Sequence, residues 1–255
     1  MNRLRGLCLA LLASTLWAGP PGHLAIAAAA DLQFALLEVK DAFVKTHPGA
    51  EVSVTYGSSG NFYAQLMNKA PFDLFLSADL TYPKQLVEAG LADGATEFLY
   101  SRGRIVLWAP KESPIPVEQL GMKALSHPAA KKIAIANPRH APYGRAAEAA
   151  LTKLGLLEAL TPRLVFGENI SQTAQFVQTG AADIGIIALS LTKAPAMATG
   201  RMWEVPPDLY SPLNQGGVIP NHAQNKAGAL AFRAFMQSPE GIAILRRYGF
   251  QVGGQ

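Results

Sequence analysis

Residues 24–43, LAIAAAADLQFALLEVKDAF, set the frame for the whole chain. Leu24–Ala30 is a run of small and apolar residues of strand length, and Asp31 closes it. Leu32, Ala35, Leu36, Val39 and Phe43 then recur at i, i+3, i+4 spacing, which predicts an amphipathic helix over Leu32–His47 that stops ahead of Pro48. A strand running straight into a helix leaves the helix's first N–H groups unpaired at the carboxyl edge of a sheet, where open α/β folds hold their ligands. Such an edge suits an anion. The residue at the junction, however, is a carboxylate.

Downstream the pattern repeats. Glu51–Tyr56 (EVSVTY) alternates as a strand, Gly57–Gly60 (GSSG) is a tight turn, and Asn61–Asn68 places Phe62, Leu66 and Met67 at helical spacing. Phe72–Ser77 reads as a buried strand and Thr81–Ala89 as a helix closed by Gly90. This β-α-β-α-β-α order predicts a parallel sheet with crossover helices, whose turns at Asp31 and Ser58–Ser59 open at one edge. Arg104–Ala109, Lys132–Ala136, Val165–Phe166 and Asp183–Leu189 form a second set of strands. Helices Arg145–Leu154 and Ile170–Thr179 alternate with them, giving turns at Tyr143 and Ile170. Val205–Pro212 is a Pro-rich crossing segment, and Gly217–Ile219 reads as a last strand. Two helices close the chain, Ala227–Gln237 and Ser238–Tyr248, the second capped by Ser238 with Pro239 at its first position. The expected fold class is therefore α/β with two lobes, each a mostly parallel sheet with flanking helices. Residues 19–104 and 206–255 would form the first lobe and 105–205 the second, with the four turns facing each other across a cleft.

Bulk properties narrow the function. With 49% apolar and 16% charged residues, the 255-residue chain is globular and large enough for two cores. Residues 1–18 read as a secretory signal: Arg3 and Arg5 form a basic start, Leu7–Leu12 an apolar centre too short to span a bilayer, and Ala18 or Gly19 the cleavage point. Removing Arg3 and Arg5 from the 22 basic residues leaves 20 against 18 acidic ones, a balance of +2 with no Lys/Arg run, which argues against nucleic acid. Cys8, the single cysteine, lies inside that segment and follows Leu7, which disfavours a lipid anchor; the mature chain has no thiol chemistry. A soluble, exported, monomeric protein is expected.

Ser58 and Ser59, in a Gly-flanked turn at a helix start, can donate hydroxyl hydrogens to an oxyanion; equally, either can be an ordinary cap. Tyr143, in APYG, offers a backbone N–H and a phenol, or packs as a core tyrosine. Asn169 caps a helix whose Ile170 N–H is available. His140 and the other histidines lack metal-ligand spacing and read as surface residues; Asp73 and Asp79 read as structural caps. GSSG is not the G-x-S-x-G elbow, no His/Asp pairing accompanies it, and neither nucleotide-binding Gly motif occurs. These absences point to recognition, with no catalysis and no cofactor.

LAIAAAADLQFAL, VTYGSSGNFYAQL, APFDLFLSAD, IANPRHAPYGRAA, GENISQTAQFV and LRRYGF, in that order over nearly the whole mature chain, resemble the periplasmic molybdate-binding proteins of ABC importers. The resemblance implies a type II periplasmic binding protein that closes over molybdate or tungstate and delivers it to a membrane permease. It implies a site of neutral donors only: the hydroxyl of Ser59 beside Ser58, and the backbone amides of Tyr143 and Ile170. Some relatives carry a ligand tyrosine where this chain has Ala188, and the APYG tyrosine, Tyr143, would compensate. Asp31 departs from the pattern, since the family usually has Ser or Asn there. A carboxylate about 4 Å from a dianion, at an effective dielectric near 20, costs about 4 kcal/mol per unit of opposing charge. Three readings of Asp31 remain: it turns away as a cap, it shares a proton with the anion and makes binding pH-dependent, or it coordinates the metal centre. Competing readings of the chain are a receptor for another oxyanion, an exported hydrolase using Ser58 or Ser59, and a ferric-ion binder with tyrosine ligands.

Overall fold

A computed structural model describes residues 22–253. The expected signal segment and Cys8 lie outside the described residues.

The opening strand β1 (Gly22–Ala29) ends one residue earlier than its apolar run, and Ala30–Leu32 forms one 3-10 turn before α1 (Gln33–Thr46). Along β1, Leu24, Ile26 and Ala28 face one core while Ala27 faces another, the period-2 alternation of a strand buried on both sides. On its first face pack α1 and the terminal helices α8 (Lys226–Met236) and α9 (Pro239–Arg247), with Phe43 edge-on to Phe232 and Phe235. On its second face pack α2 (Ser59–Met67) and α3 (Thr81–Glu88) through Phe62, Leu66 and Leu86.

The first sheet has the order β2-β1-β3-β10-β4. Its strands β2 (Ala50–Gly57), β1 and β3 (Leu74–Ser77) run parallel. The trio is extended by β10 (Leu213–Val218), antiparallel to both β3 and β4 (Phe98–Gly103). The last strand thus starts four residues before the predicted Gly217, at the end of the Pro-rich segment, and β4 is a strand the sequence did not announce.

The second sheet has the order β7-β6-β8-β5-β9 and repeats the plan. Strands β6 (Ile133–Ala136), β7 (Leu164–Gly167) and β8 (Ile184–Ala188) are parallel. Strands β5 (Ile105–Ala109) and β9 (Arg201–Glu204) are added antiparallel. The short helices α4 (Val117–Leu120) and α6 (Leu157–Leu160) and the longer α5 (Pro142–Lys153) and α7 (Ile170–Gln178) flank it. Between the lobes, Arg104 bridges Glu204 at 3.0 Å and the Gly249 carbonyl at 3.1 Å, tying the second sheet to the turn that follows α9. Among the described residues no helix is long and apolar enough to cross a membrane.

Candidate functional site

The carboxyl ends of β1 and β2 in one lobe and the starts of α5 and α7 in the other converge on one small pocket. All five residues singled out from sequence line it: Asp31, Ser58, Ser59, Tyr143 and Ile170. The rest of the lining is Ala, Gly and Pro, so no cationic side chain is present. Small residues matter here because they let backbone amides, not side chains, form the wall.

Each turn has a local cause. Ser58 is the N-cap of α2, in extended conformation, and its Oγ accepts from the Asn61 amide at 3.4 Å. Ser59 follows at the first helical position, fully buried. Its Oγ accepts from the Ala78 amide at 2.9 Å, which leaves the hydroxyl hydrogen free to donate. Pro142 occupies the first position of α5, so the first amide there is that of Tyr143. Asn169 caps α7 by accepting from Gln172 at 3.0 Å, which leaves the Ile170 amide among the unpaired donors. Three helix N-termini aimed at one pocket make a positive field without a formal charge.

Asp31 occupies the middle of this arrangement and is 1% exposed. Its Oδ2 accepts from the Tyr143 hydroxyl at 2.9 Å and from Gln215 Nε2 at 2.6 Å, while no protein group bonds Oδ1. Its main-chain oxygen accepts from the Ser190 hydroxyl at 2.7 Å. Burial pushes the carboxyl up from its ordinary 3.8 to about 6, against the pull of the Gln215 and Tyr143 hydrogen bonds. Burial, then the neighbouring Asp31 charge, drives Tyr143 well above the usual tyrosine range, so the phenol stays neutral.

The structure corrects four sequence readings. The Tyr143 phenol donates to Asp31 and accepts from Gln215 at 3.0 Å, so its hydrogen is not left for a ligand and it does not stand in for a tyrosine at Ala188. Asp31 does not turn away to cap a helix: neither flanking cap position receives a side-chain hydrogen bond. His140 is not a free surface residue, for its Nδ1 lies 2.9 Å from Ser58 Oγ, its Nε2 3.5 Å from Glu168, and its carbonyl accepts the Gly60 amide at 2.9 Å. A base is therefore within reach of a serine after all, although the pair sits across the closed cleft. Asp79 caps Thr81 as expected and also pairs with Arg145 of the other lobe at 2.6 Å.

Sequence reasoning passed over Gln215 and Ser190 as neighbours of the site and read His140 as a surface residue. His140 had a visible cue, its place three residues before Tyr143 in the same turn. Gln215 had none, because only strand pairing brings it beside Asp31.

The lobes meet in a closed arrangement. Arg145 also donates to the Tyr82 hydroxyl at 3.0 Å, Asn61 donates to Glu168 at 2.6 Å, and Ser171 bonds Gln33. Gly60 is obligatory at this seam, since a Cβ there would lie 2.6 Å from the His140 carbonyl.

Comparison with known proteins agrees with this geometry. Residues 24–251 match the sequence model of a family described as bacterial extracellular solute-binding protein. The molybdate-binding protein ModA of Rhodobacter capsulatus is 40% identical over 202 residues, covering 79% of this chain and 78% of that protein. ModA of Azotobacter vinelandii is 38% identical over 226 residues, 88% of each. The solved structure of the Azotobacter vinelandii periplasmic molybdate-binding protein superposes with a TM-score of 0.85 at 34% identity, covering 91% of this chain and all of that one. Two lobes built on mixed sheets, a closed pocket of helix N-termini and relatives of this identity lead to one assignment: the chain belongs to the bacterial extracellular solute-binding proteins, in the group of the molybdate-binding proteins.

Proposed function

We propose that this protein captures molybdate, or tungstate, between its two lobes in the periplasm and hands it to the permease of an ABC importer. The observation that carries the reading is the pocket itself, in which three helix N-termini drawn from both lobes converge with two serines of the first lobe and no cationic side chain. A site of neutral donors suits a dehydrated tetrahedral oxyanion and places no formal positive charge to retain it, which favours release. The names of the relatives supply the element: proteins 40% and 38% identical are molybdate-binding.

In this reading Ser58 and Ser59 contribute hydroxyls, Tyr143 and Ile170 contribute main-chain amides, and Asp31 faces the anion directly. Residues 19–104 with 206–255 move as one lobe against 105–205, and the protein acts as a monomer without nucleic acid, cofactor or catalysis. The Ser58–His140 contact holds the lobes together and does not activate a nucleophile, so a serine-directed phosphonate probe leaves the protein unmodified.

Thermal unfolding with molybdate, tungstate, sulfate and phosphate tests the assignment. Molybdate and tungstate at 100 times their Kd should each stabilise by about 2.7 kcal/mol. A larger shift with sulfate or phosphate, or none with molybdate, would reject it.

A further inference from the structure

We propose that each oxyanion is captured together with one proton, held between Asp31 Oδ1 and an oxygen of the anion. This rests on the reading of the pocket as a molybdate site.

The two oxygens of Asp31 are not equivalent. Oδ2 is occupied by two donors from opposite lobes, Tyr143 at 2.9 Å and Gln215 at 2.6 Å. A proton placed on Oδ2 would oppose both of those hydrogens. Oδ1 is buried, lines the pocket through its residue and receives no hydrogen bond from the protein. Unprotonated, it would meet an anion oxygen lone pair to lone pair; protonated, it becomes another O–H donor in a pocket otherwise made of them. The proton therefore belongs on Oδ1, and the hydrogen-bonded Oδ2 fixes the direction in which it points.

The surroundings leave no other carrier on this carboxyl. Facing it are Tyr143 of α5, Tyr100 of β4, the neutral Gln215 of β10, Ser190 after β8, and the serines of the β2–α2 turn. Burial, then the charge on Asp31, holds both tyrosines well above their usual range. Among the described residues no Lys, Arg or His pairs with Asp31; His140, the titratable group at the rim, bonds Ser58. With its carboxyl raised to about 6, Asp31 of the empty closed site is mostly ionised at pH 7.5, and the approaching dianion raises it further. Capture then draws a proton from water. By linkage, affinity falls about tenfold per pH unit above pH 6 and levels off below it.

Calorimetric titration of the mature protein with molybdate, in two buffers of different ionisation enthalpy, counts the protons. At pH 7.5 the expected uptake is close to one per molybdate, falling to about a quarter at pH 5.5 as the empty site becomes protonated. Asp31→Asn should bind molybdate with no uptake and with an affinity that stays flat from pH 6 to 8. Binding of molybdate by the wild-type protein without proton uptake at pH 7.5 overturns the proposal, and the wild-type measurement decides this even if the variant fails to fold. Uptake that persists in Asp31→Asn overturns it too, by placing the proton on another group such as His140. Folded wild-type protein that binds no molybdate at all rejects the molybdate reading, and the proton proposal falls with it.

Discussion

Strand β1 has a buried aspartate near each end, and the two are treated in opposite ways. At its amino end, Asp73 accepts three main-chain amides, those of Ala25 at 2.8 Å, Gln224 at 2.7 Å and Asn225 at 2.9 Å, so both oxygens are in use. At its carboxyl end, Asp31 receives two side-chain donors on one oxygen and nothing on the other. Every partner of Asp73 belongs to the first lobe, Ala25 in β1 and Gln224 and Asn225 in the turn leading into α8, whereas Tyr143 reaches Asp31 from the second lobe. One carboxylate is a staple that is complete in a single lobe. The other is finished only when the cleft is shut, and then only on one side. Burial alone does not distinguish structure from function; the unused lone pairs do.

Breaking the staple should give the largest effect. Asp73→Ala strips three buried amides of a charged acceptor and should lower the free energy of unfolding by about 4 kcal/mol, read by urea denaturation at pH 7. A loss under about 1 kcal/mol would remove the distinction between the two sites.

Asp31→Asn should do the reverse at neutral pH. A carboxyl raised from 3.8 to about 6 holds its proton more tightly in the folded state, so its contribution to stability is fully present below pH 3.8 and is lost as pH rises through 6. At pH 8 the ionised carboxylate of the closed empty protein therefore costs about 3 kcal/mol, which the amide does not. Ligand-free Asp31→Asn should unfold later than wild type at pH 8 and alongside it near pH 4. No pH-dependent gap would mean that the empty protein rests open, with Asp31 in water.

Gly60→Ala sharpens the contrast by acting on closure alone. Its Cβ meets the His140 carbonyl across the seam, so molybdate affinity should fall tenfold or more and small-angle scattering should show a larger ligand-free molecule. Unfolding should be unaffected or delayed by up to about 1 kcal/mol, because alanine favours α2 more than glycine does. The smallest effect belongs to Arg145→Met. The Arg145–Asp79 pair is about a third exposed, so its loss should weaken affinity by only about 0.5–1 kcal/mol, and less at high salt.

Much of this was legible in the chain. Leu24–Ala30 and the helix after it, the GSSG and APYG turns and the Asn169 cap are local signals, governed by apolar period and capping chemistry, and the junction residues they mark, Asp31, Ser58, Ser59, Tyr143 and Ile170, meet in one pocket. Strands β4 and β9 escaped because FLYSRG and RMWE carry polar and exposed residues, and their pairing depends on partners distant in sequence. For the same reason Gln215 was invisible: a glutamine before two glycines carries no mark of burial. The use of the Tyr143 phenol was misjudged because its partner, Asp31, is 112 positions away.

Strand β10 has a consequence for how the molecule is made. It lies between β3 and β4 in the first sheet, and among the described residues β4 pairs with no other strand, its one further backbone partner being Gln251, which bridges Arg102. Until residues 213–218 have emerged, Phe98–Gly103 has no strand to pair with and Asp31 lacks Gln215. The second lobe, by contrast, draws its whole sheet from the unbroken stretch 105–204 and can settle as soon as that stretch is out. Synthesis from the amino terminus therefore finishes the later lobe first. The first lobe waits unsealed, with the edge of β3 open until the last strand closes it.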